Sequence, residues 1–145
     1  MYFRDGFALE SPAIVVPWLI SETDLAALLS DERLKRVTGG YHTFETTVWD
    51  GLGLTIGFHF TPRVGGELRE FEVFRTDPYV LSDQASFAEL QSRLEARLGN
   101  PSESSGVDSR YPSAMWFEDS YAVTHLLQNR FGDEEILRVK TSRAV

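Results

Sequence analysis

The side chains in this 145-residue chain that could do chemistry are three histidines, a spread of carboxylates and a few serines near glycine. His42, His59 and His125 each stand alone in a β-like segment. None has the HxxxH, HExxH or HxH spacing that would put two imidazoles on one metal ion. His42 alternates with Phe44 and Val48, so it reads as a satisfied core or rim histidine; an ion site assembled from separate strands is the alternative. A nucleophilic serine needs a strained elbow such as GxSxG, and there is none. Ser104-Ser105-Gly106 lies in a polar loop and reads as turn chemistry. Gly51-Leu52-Gly53 lacks the third glycine of a phosphate cradle and joins two strands, so it reads as a hairpin. The carboxylates cluster as Glu70/Glu72, Glu118/Asp119 and Asp133/Glu134/Glu135. Acid–base work needs two carboxyls in contrasting environments within a cleft. These sit in turns or on an outward strand face, where carboxylates are solvated. No catalytic residue, metal ligand or cofactor site is expected.

The elements that position these groups follow from periodicity. Residues 1–12 carry Tyr2, Phe3, Phe7 and Leu9 around Gly6, a short strand or arm. Ala13, Ile14, Val15 and Val16 run into Pro17, which suits an edge or extended segment. Ser21-Glu-Thr-Asp24 starts a helix with a stripe of Leu25, Leu28 and Leu29, expected to end near Leu34. Residues 41–49 alternate, with His42, Phe44, Thr46 and Val48 on one face and Tyr41, Thr43, Glu45, Thr47 and Trp49 on the other. Asp50-Gly51 is a tight-turn pair. Leu54, Ile56, Phe58 and Phe60 share the next inward face, with His59 opposite. After a Pro62/Gly65-Gly66 loop, residues 67–75 return with Phe71 and Val73 inward and Glu70, Glu72 and Phe74 outward. Ser86-Phe-Ala-Glu89 reads as a capping box, followed by a Phe87/Leu90/Leu94/Leu98 stripe and a Gly99-Asn100-Pro101 stop. Residues 101–112 form a polar loop. A last meander runs through Ala114–Trp116–Phe117, a turn at Glu118-Asp119-Ser120, a strand from Tyr121, a turn containing Gly132, and a strand from Ile136 to Lys140.

The pattern predicts a single α+β domain over 1–145. Its antiparallel, mostly meander sheet carries two helices on one face, in the order α-βββ-α-ββ(β) after an N-terminal extended segment.

Composition narrows the function classes. The chain is 42% apolar and 12% aromatic, as a folded domain requires, and it has no cysteine. Disulfide frameworks and thiolate chemistry are therefore excluded. The N-terminus lacks a basic region followed by an apolar run, and no apolar stretch approaches the ~20 residues that span a bilayer. A cytoplasmic location away from membranes is expected. The 22 acids against 14 bases give −8. Such a field repels nucleic-acid backbones and favours basic partners, and the other reading of the same charge is plain solubility.

What remains is surface. Acids at the two turns of the last meander flank Trp116, Tyr121 and Phe131, and an aromatic anchor with a charged rim is the composition of a protein-binding site. The candidate site is therefore Trp116, Glu118, Asp119, Tyr121, Asp133, Glu134 and Glu135. The alternative places Trp116 and Tyr121 in the core, with the acids guarding sheet edges.

In size, charge, absence of cysteine and an α+β pattern ending in strands that bear Trp116 and Phe131-Gly132, the chain resembles the small acidic immunity proteins that bacteria pair with toxins. That resemblance implies a cytoplasmic, non-enzymatic protein that occludes a cognate toxin with a basic surface. It also implies partner-facing roles for Asp119, Asp133, Glu134 and Glu135. The element order is also similar to class I chaperones of type III secretion, which bind effectors as dimers but normally finish with a further helix. A third expectation is a small-molecule binder or enzyme using a sheet pocket near Tyr41, His59 or His125. Monomer and homodimer both fit. The toxin-binding expectation rests on a fold free of reactive machinery, and a buried polar triad against the sheet would overturn it.

Overall fold

Alternation decides which side of the sheet is covered. The structure, a computed structural model, describes residues 2–105 and 109–142. Met1, residues 106–108 and residues 143–145 lie outside it. Its elements are β1 (Gly6–Ala8), β2 (Val15–Pro17), α1 (Glu22–Leu28), β3 (Leu34–Thr38), β4 (Tyr41–Val48), β5 (Leu52–Thr61) and β6 (Glu67–Arg75). They continue with α2 (Asp83–Leu98), β7 (Glu103–Ser104), β8 (Ser113–Phe117), β9 (Tyr121–Asn129) and β10 (Asp133–Thr141). Eight strands form one antiparallel sheet in the order β3-β4-β5-β6-β10-β9-β8-β7, and β1 and β2 form a separate hairpin. The fold is α+β with a mainly antiparallel sheet, as the pattern predicts.

Phe44 and Val48, Leu54 to Phe60 by twos, Phe71 and Val73, Val123 and Leu127, and Leu137 and Val139 all point to the covered face and are buried. Full burial of such a side chain stabilises by about 1.5–3 kcal/mol each before entropy is counted. The cover is made by Leu25 and Leu29 around α1, Leu90 and Leu94 of α2, and the N-terminal hairpin. Phe3, Phe7 and Trp18 lie at its centre. Trp18 packs on Phe71 at 4.4 Å, Phe7 on Phe71 at 5.2 Å, and the Trp18 indole N–H donates to the Phe3 carbonyl at 2.7 Å. Of the two readings of residues 1–12, a short strand or an arm, the strand is the one that forms, and Phe3, Phe7 and Leu9 in and around it belong to the core. No helix among the described residues is long and apolar enough to cross a membrane.

Two helix boundaries differ from expectation. α1 stops at Leu28 because Asp31 takes the Arg33 backbone N–H (2.9 Å), a local bond that competes with helix continuation. Leu34 then starts the edge strand β3 instead of ending the helix. α2 is capped by Ser82, whose hydroxyl accepts from Ala85 N–H at 3.2 Å, one turn before the apparent capping box. That earlier start frees the Ser86 hydroxyl and the Glu89 carboxylate for tertiary partners. Trp49, expected on a strand face, is instead a buried turn residue with φ 51°.

β10 is the keystone of the topology. It pairs with β9 along its whole length, from Asp133↔Asn129 to Thr141↔Tyr121. With β6 it pairs over three positions alone: Glu70↔Lys140, Phe71↔Val139 and Glu72↔Arg138. Beyond them the two strands are unpaired and the sheet forks.

Candidate functional site

The fork opens a cleft of about 460 Å³, lined by β6 (Val73, Phe74, Arg75), the first turns of α2 (Asp83, Ser86, Leu90) and the start of β10 (Asp133, Glu134, Glu135). Thr76 and Pro78, in the β6–α2 connection, complete it. This volume lies within the range of ligand pockets. Four carboxylates and one guanidinium line it, and that guanidinium is already matched: Arg75 donates to Glu89 (2.7 Å) and to the Ser86 hydroxyl (2.7 Å). The cleft is therefore anionic with an apolar wall of Val73, Phe74 and Leu90.

Its inner wall is a polar triad that the missing sequence motifs did not foresee. Ser86 Oγ–H donates to one oxygen of Glu135, and His125 Nε2–H donates to the other at 2.7 Å. The His125 Nδ1 meets the Gln91 side-chain amide at 2.8 Å. The imidazole is 0% exposed and lies flat on Phe87, with ring centroids 4.0 Å apart. Buried polar groups must be paired, and here every ring nitrogen is. The sequence of groups matters chemically. In a serine hydrolase the imidazole stands between nucleophile and carboxylate. Here the carboxylate stands in the middle, Arg75 occupies a serine lone pair, and the histidine has no face on the cleft. Contrary to the expectation of a fold free of such machinery, a buried polar triad does lie against the sheet, but it contains no serine–imidazole contact, and what it does is lock α2, β9 and β10 together along the cleft wall.

A second polar cluster lies on the open face, across β4, β5, β6 and β10. The Tyr41 ring stacks on His59 (4.4 Å) and its hydroxyl donates to Glu72 at 3.1 Å. His59 Nε2 bonds the same carboxylate oxygen at 3.1 Å. Arg138 bridges Glu70 (2.8 Å) and Glu72 (3.3 Å). Tyr41 can lean across to Glu72 because Gly57 lies beneath it; a Cβ at Gly57 would sit 2.8 Å from the Tyr41 oxygen. The His59 hydrogen bond, with help from Arg138 and Tyr41, holds Glu72 below the usual carboxylate range against the opposing effect of burial. Burial, then the Glu72 charge, pushes Tyr41 up to about 12. Glu70 and Glu72, read from sequence as ordinary solvated acids, are instead tied into this network. At the far edge Glu22 accepts from His42 (2.7 Å) and from Gly40 N–H (3.3 Å), and the His42 bond lowers its pKa. Among the described residues no cluster of three or more His, Asp or Glu is arranged to hold a metal ion.

The expected protein-binding residues separate into three groups. Trp116 and Tyr121 are each 1% exposed, so neither offers an anchor to a partner. The Trp116 indole N–H is turned inward to the Gly99 carbonyl (3.0 Å), and Tyr121 packs edge-on against Phe3. They are core residues, the alternative reading of the same pattern. Glu118 and Asp119 are exposed in the β8–β9 turn, but β9 separates them from the β9–β10 turn by roughly 26 Å at ~3.3 Å per residue. The two acidic turns therefore do not form one surface. Asp133 and Glu134 do line the cleft, and Glu135 lines it while committed to Ser86 and His125. Sequence reasoning missed Asp83, Ser86 and Arg75 at this site. The exposed aromatics that signal contact are Phe131 (95%) in the adjoining turn and Tyr79 (92%) in the β6–α2 connection.

No protein-family model, curated protein or solved structure matches this chain.

Proposed function

We propose that the protein is a cytoplasmic, non-enzymatic binding protein that neutralises a bacterial toxin by seating a basic segment of it in the forked cleft. One observation carries this reading: an anionic cleft beside two almost fully exposed aromatic side chains. The Val73/Phe74/Leu90 wall suits the aliphatic stem of a lysine or arginine. Asp83, Asp133 and Glu134 meet its charge. Tyr79 and Phe131 supply the large apolar area that anchors protein interfaces. The net charge of −8 steers such a partner in, an effect screened over about 8–10 Å at ordinary ionic strength.

The test places a photoreactive residue at Phe131, at Tyr79 and, as a control, at Phe117 on the sheet's far part. Crosslinking is done in the cell of origin. The expected result is a single basic protein captured from Phe131 and Tyr79 but not from Phe117. Expressed alone it should arrest growth, and co-expression of the wild-type chain should relieve the arrest. An Asp133→Lys/Glu134→Lys variant should fail to relieve it. A captured partner that is harmless on its own, or no capture from either cleft position, refutes the proposal.

A further inference from the structure

At the opposite end of β10 the charge pattern reverses. A hollow of about 250 Å³ on the open face is lined by Gly40, His59, Thr61, Arg63, Arg69, Glu70 and Lys140, with Phe60 beneath. In a chain with eight more acids than bases, three cations from three different parts of the fold converge here, against one carboxylate. That carboxylate, Glu70, pairs with Arg138 at 2.8 Å, which it shares with Glu72 at 3.3 Å. Arg63 and Lys140 form no ion pair among the described residues, and Arg69 pairs with Glu67 outside the hollow. Arg63 and Lys140 therefore share the hollow as like charges with no ion-pair partner among the described residues, and an anion there relieves their mutual repulsion.

The backbone is shaped to keep them there. The register between β5 and β6 slips after His59↔Glu70, so that Phe60 pairs with Leu68 and Arg69 is the additional residue of a bulge. Bulges re-aim a side chain, and this one puts Arg69 beside Glu70 on the same hollow. Arg63 is brought in by close approach of its loop to the β3–β4 turn: a Cβ at Gly40 would lie 2.8 Å from the Arg63 Cα, and Gly40 itself has φ +80°. The Gly40 carbonyl takes the Phe60 N–H at 2.9 Å, which holds the turn in place.

We infer that this hollow is an anion-binding site for a phosphate group, either as inorganic phosphate or as a small phosphomonoester. The Arg63 guanidinium fork and the Lys140 ammonium, with the Glu67-paired Arg69 alongside, match the several oxygens of a phosphate better than a single carboxylate. Its volume of about 250 Å³ is enough for a phosphate and a short organic body. The site is separate from the acidic cleft and does not depend on it.

Isothermal titration and amide/imidazole NMR shifts test this on the full chain, at constant ionic strength in chloride. The probes are inorganic phosphate, glycerol phosphate and, as a charge control, acetate. Saturable binding of either phosphate probe is expected, with shifts at His59 and Lys140 and at least tenfold weaker binding of acetate. A tighter constant for glycerol phosphate assigns the ester as ligand, and a tighter constant for inorganic phosphate assigns the free ion. Arg63→Gln and Lys140→Gln change exposed side chains, so their thermal midpoints should match wild type. Each should weaken binding at least fivefold. Asp133→Lys should leave binding unchanged, whatever becomes of partner docking. Absence of saturation for both phosphate probes overturns the inference. So does binding that Arg63→Gln and Lys140→Gln leave intact, or equal response to acetate.

Discussion

Replacing Gly57 with alanine isolates the open-face network from the rest of the fold. The added methyl would meet the Tyr41 oxygen at 2.8 Å and Cε1 at 2.9 Å, both at the free end of a side chain. The ring will therefore swing away and the backbone will stay. The swing breaks the 3.1 Å bond to Glu72 and the stack on His59. A hydrogen bond to a charged group is worth about 1.5–3 kcal/mol, and partial solvent access argues for the lower end. Alanine recovers roughly 0.5–1 kcal/mol over glycine within a strand. The net expectation is a loss of about 1 kcal/mol, a fall in Tm of about 4 °C for a domain of this size. Tyrosinate absorbance gives an independent readout. In wild type Tyr41 should ionise at about 12, identified by its loss in Tyr41→Phe. In Gly57→Ala it should move down toward 10. In the Tyr41→Phe background the alanine should cost less than about 0.5 kcal/mol, because the bond it disrupts is already gone. An unmoved tyrosine titration in Gly57→Ala would show that the ring does not depend on the bare glycine, and would refute this reasoning.

Two further outcomes follow from the buried and half-buried charges. His125→Leu leaves the Glu135 carboxylate against α2 with Ser86 as its remaining partner, and should cost about 3–5 kcal/mol in urea unfolding; a cost under about 1 kcal/mol would mean that the triad is not a structural lock. Glu72 and Glu22 both titrate below their ordinary 4.5 in the fold, Glu72 chiefly through its His59 bond and Glu22 through His42. Their contribution is thus complete above about pH 4.5 and is lost as the pH falls through the lowered values. Stability should decline on acidification below pH 4.5, and Glu72→Gln should start lower but decline less steeply; an unchanged acid slope would contradict the assignment.

Local pattern made β4, β5, β6, β8, β9, β10 and α2 legible, but not β3. Alternation in 41–48 and 52–60, and the leucine stripe of α2, depend on neighbours two to four residues away. The cleft was not legible, because it arises where β6 and β10 part, and their adjacency joins Phe71 to Val139 across the whole second half of the chain. No local signal encodes that pairing, or the meeting of Ser86, His125 and Glu135 from three elements. Trp116 and Tyr121 show the limit of composition: an aromatic beside acids looks the same whether it faces a partner or the core. Alternation with Ala114 and Val123 was the clue, since both share the buried face. At α2, two serines four residues apart offered competing caps, and Ser82 begins the helix while Ser86 turns to the sheet.

The place of β10 between the two halves of the sheet has a consequence for how the protein is made. On the ribosome, β3 to β6 emerge first, and β6 then presents a bare edge carrying Phe71 and Val73 until residues 133–141 have been translated. At ~5–20 residues per second that exposure lasts on the order of seconds. During that interval the nascent polypeptide offers an open hydrogen-bonding ladder to any neighbouring chain, so holdase chaperones and elongation speed bear on its yield, as does the stability of the finished fold.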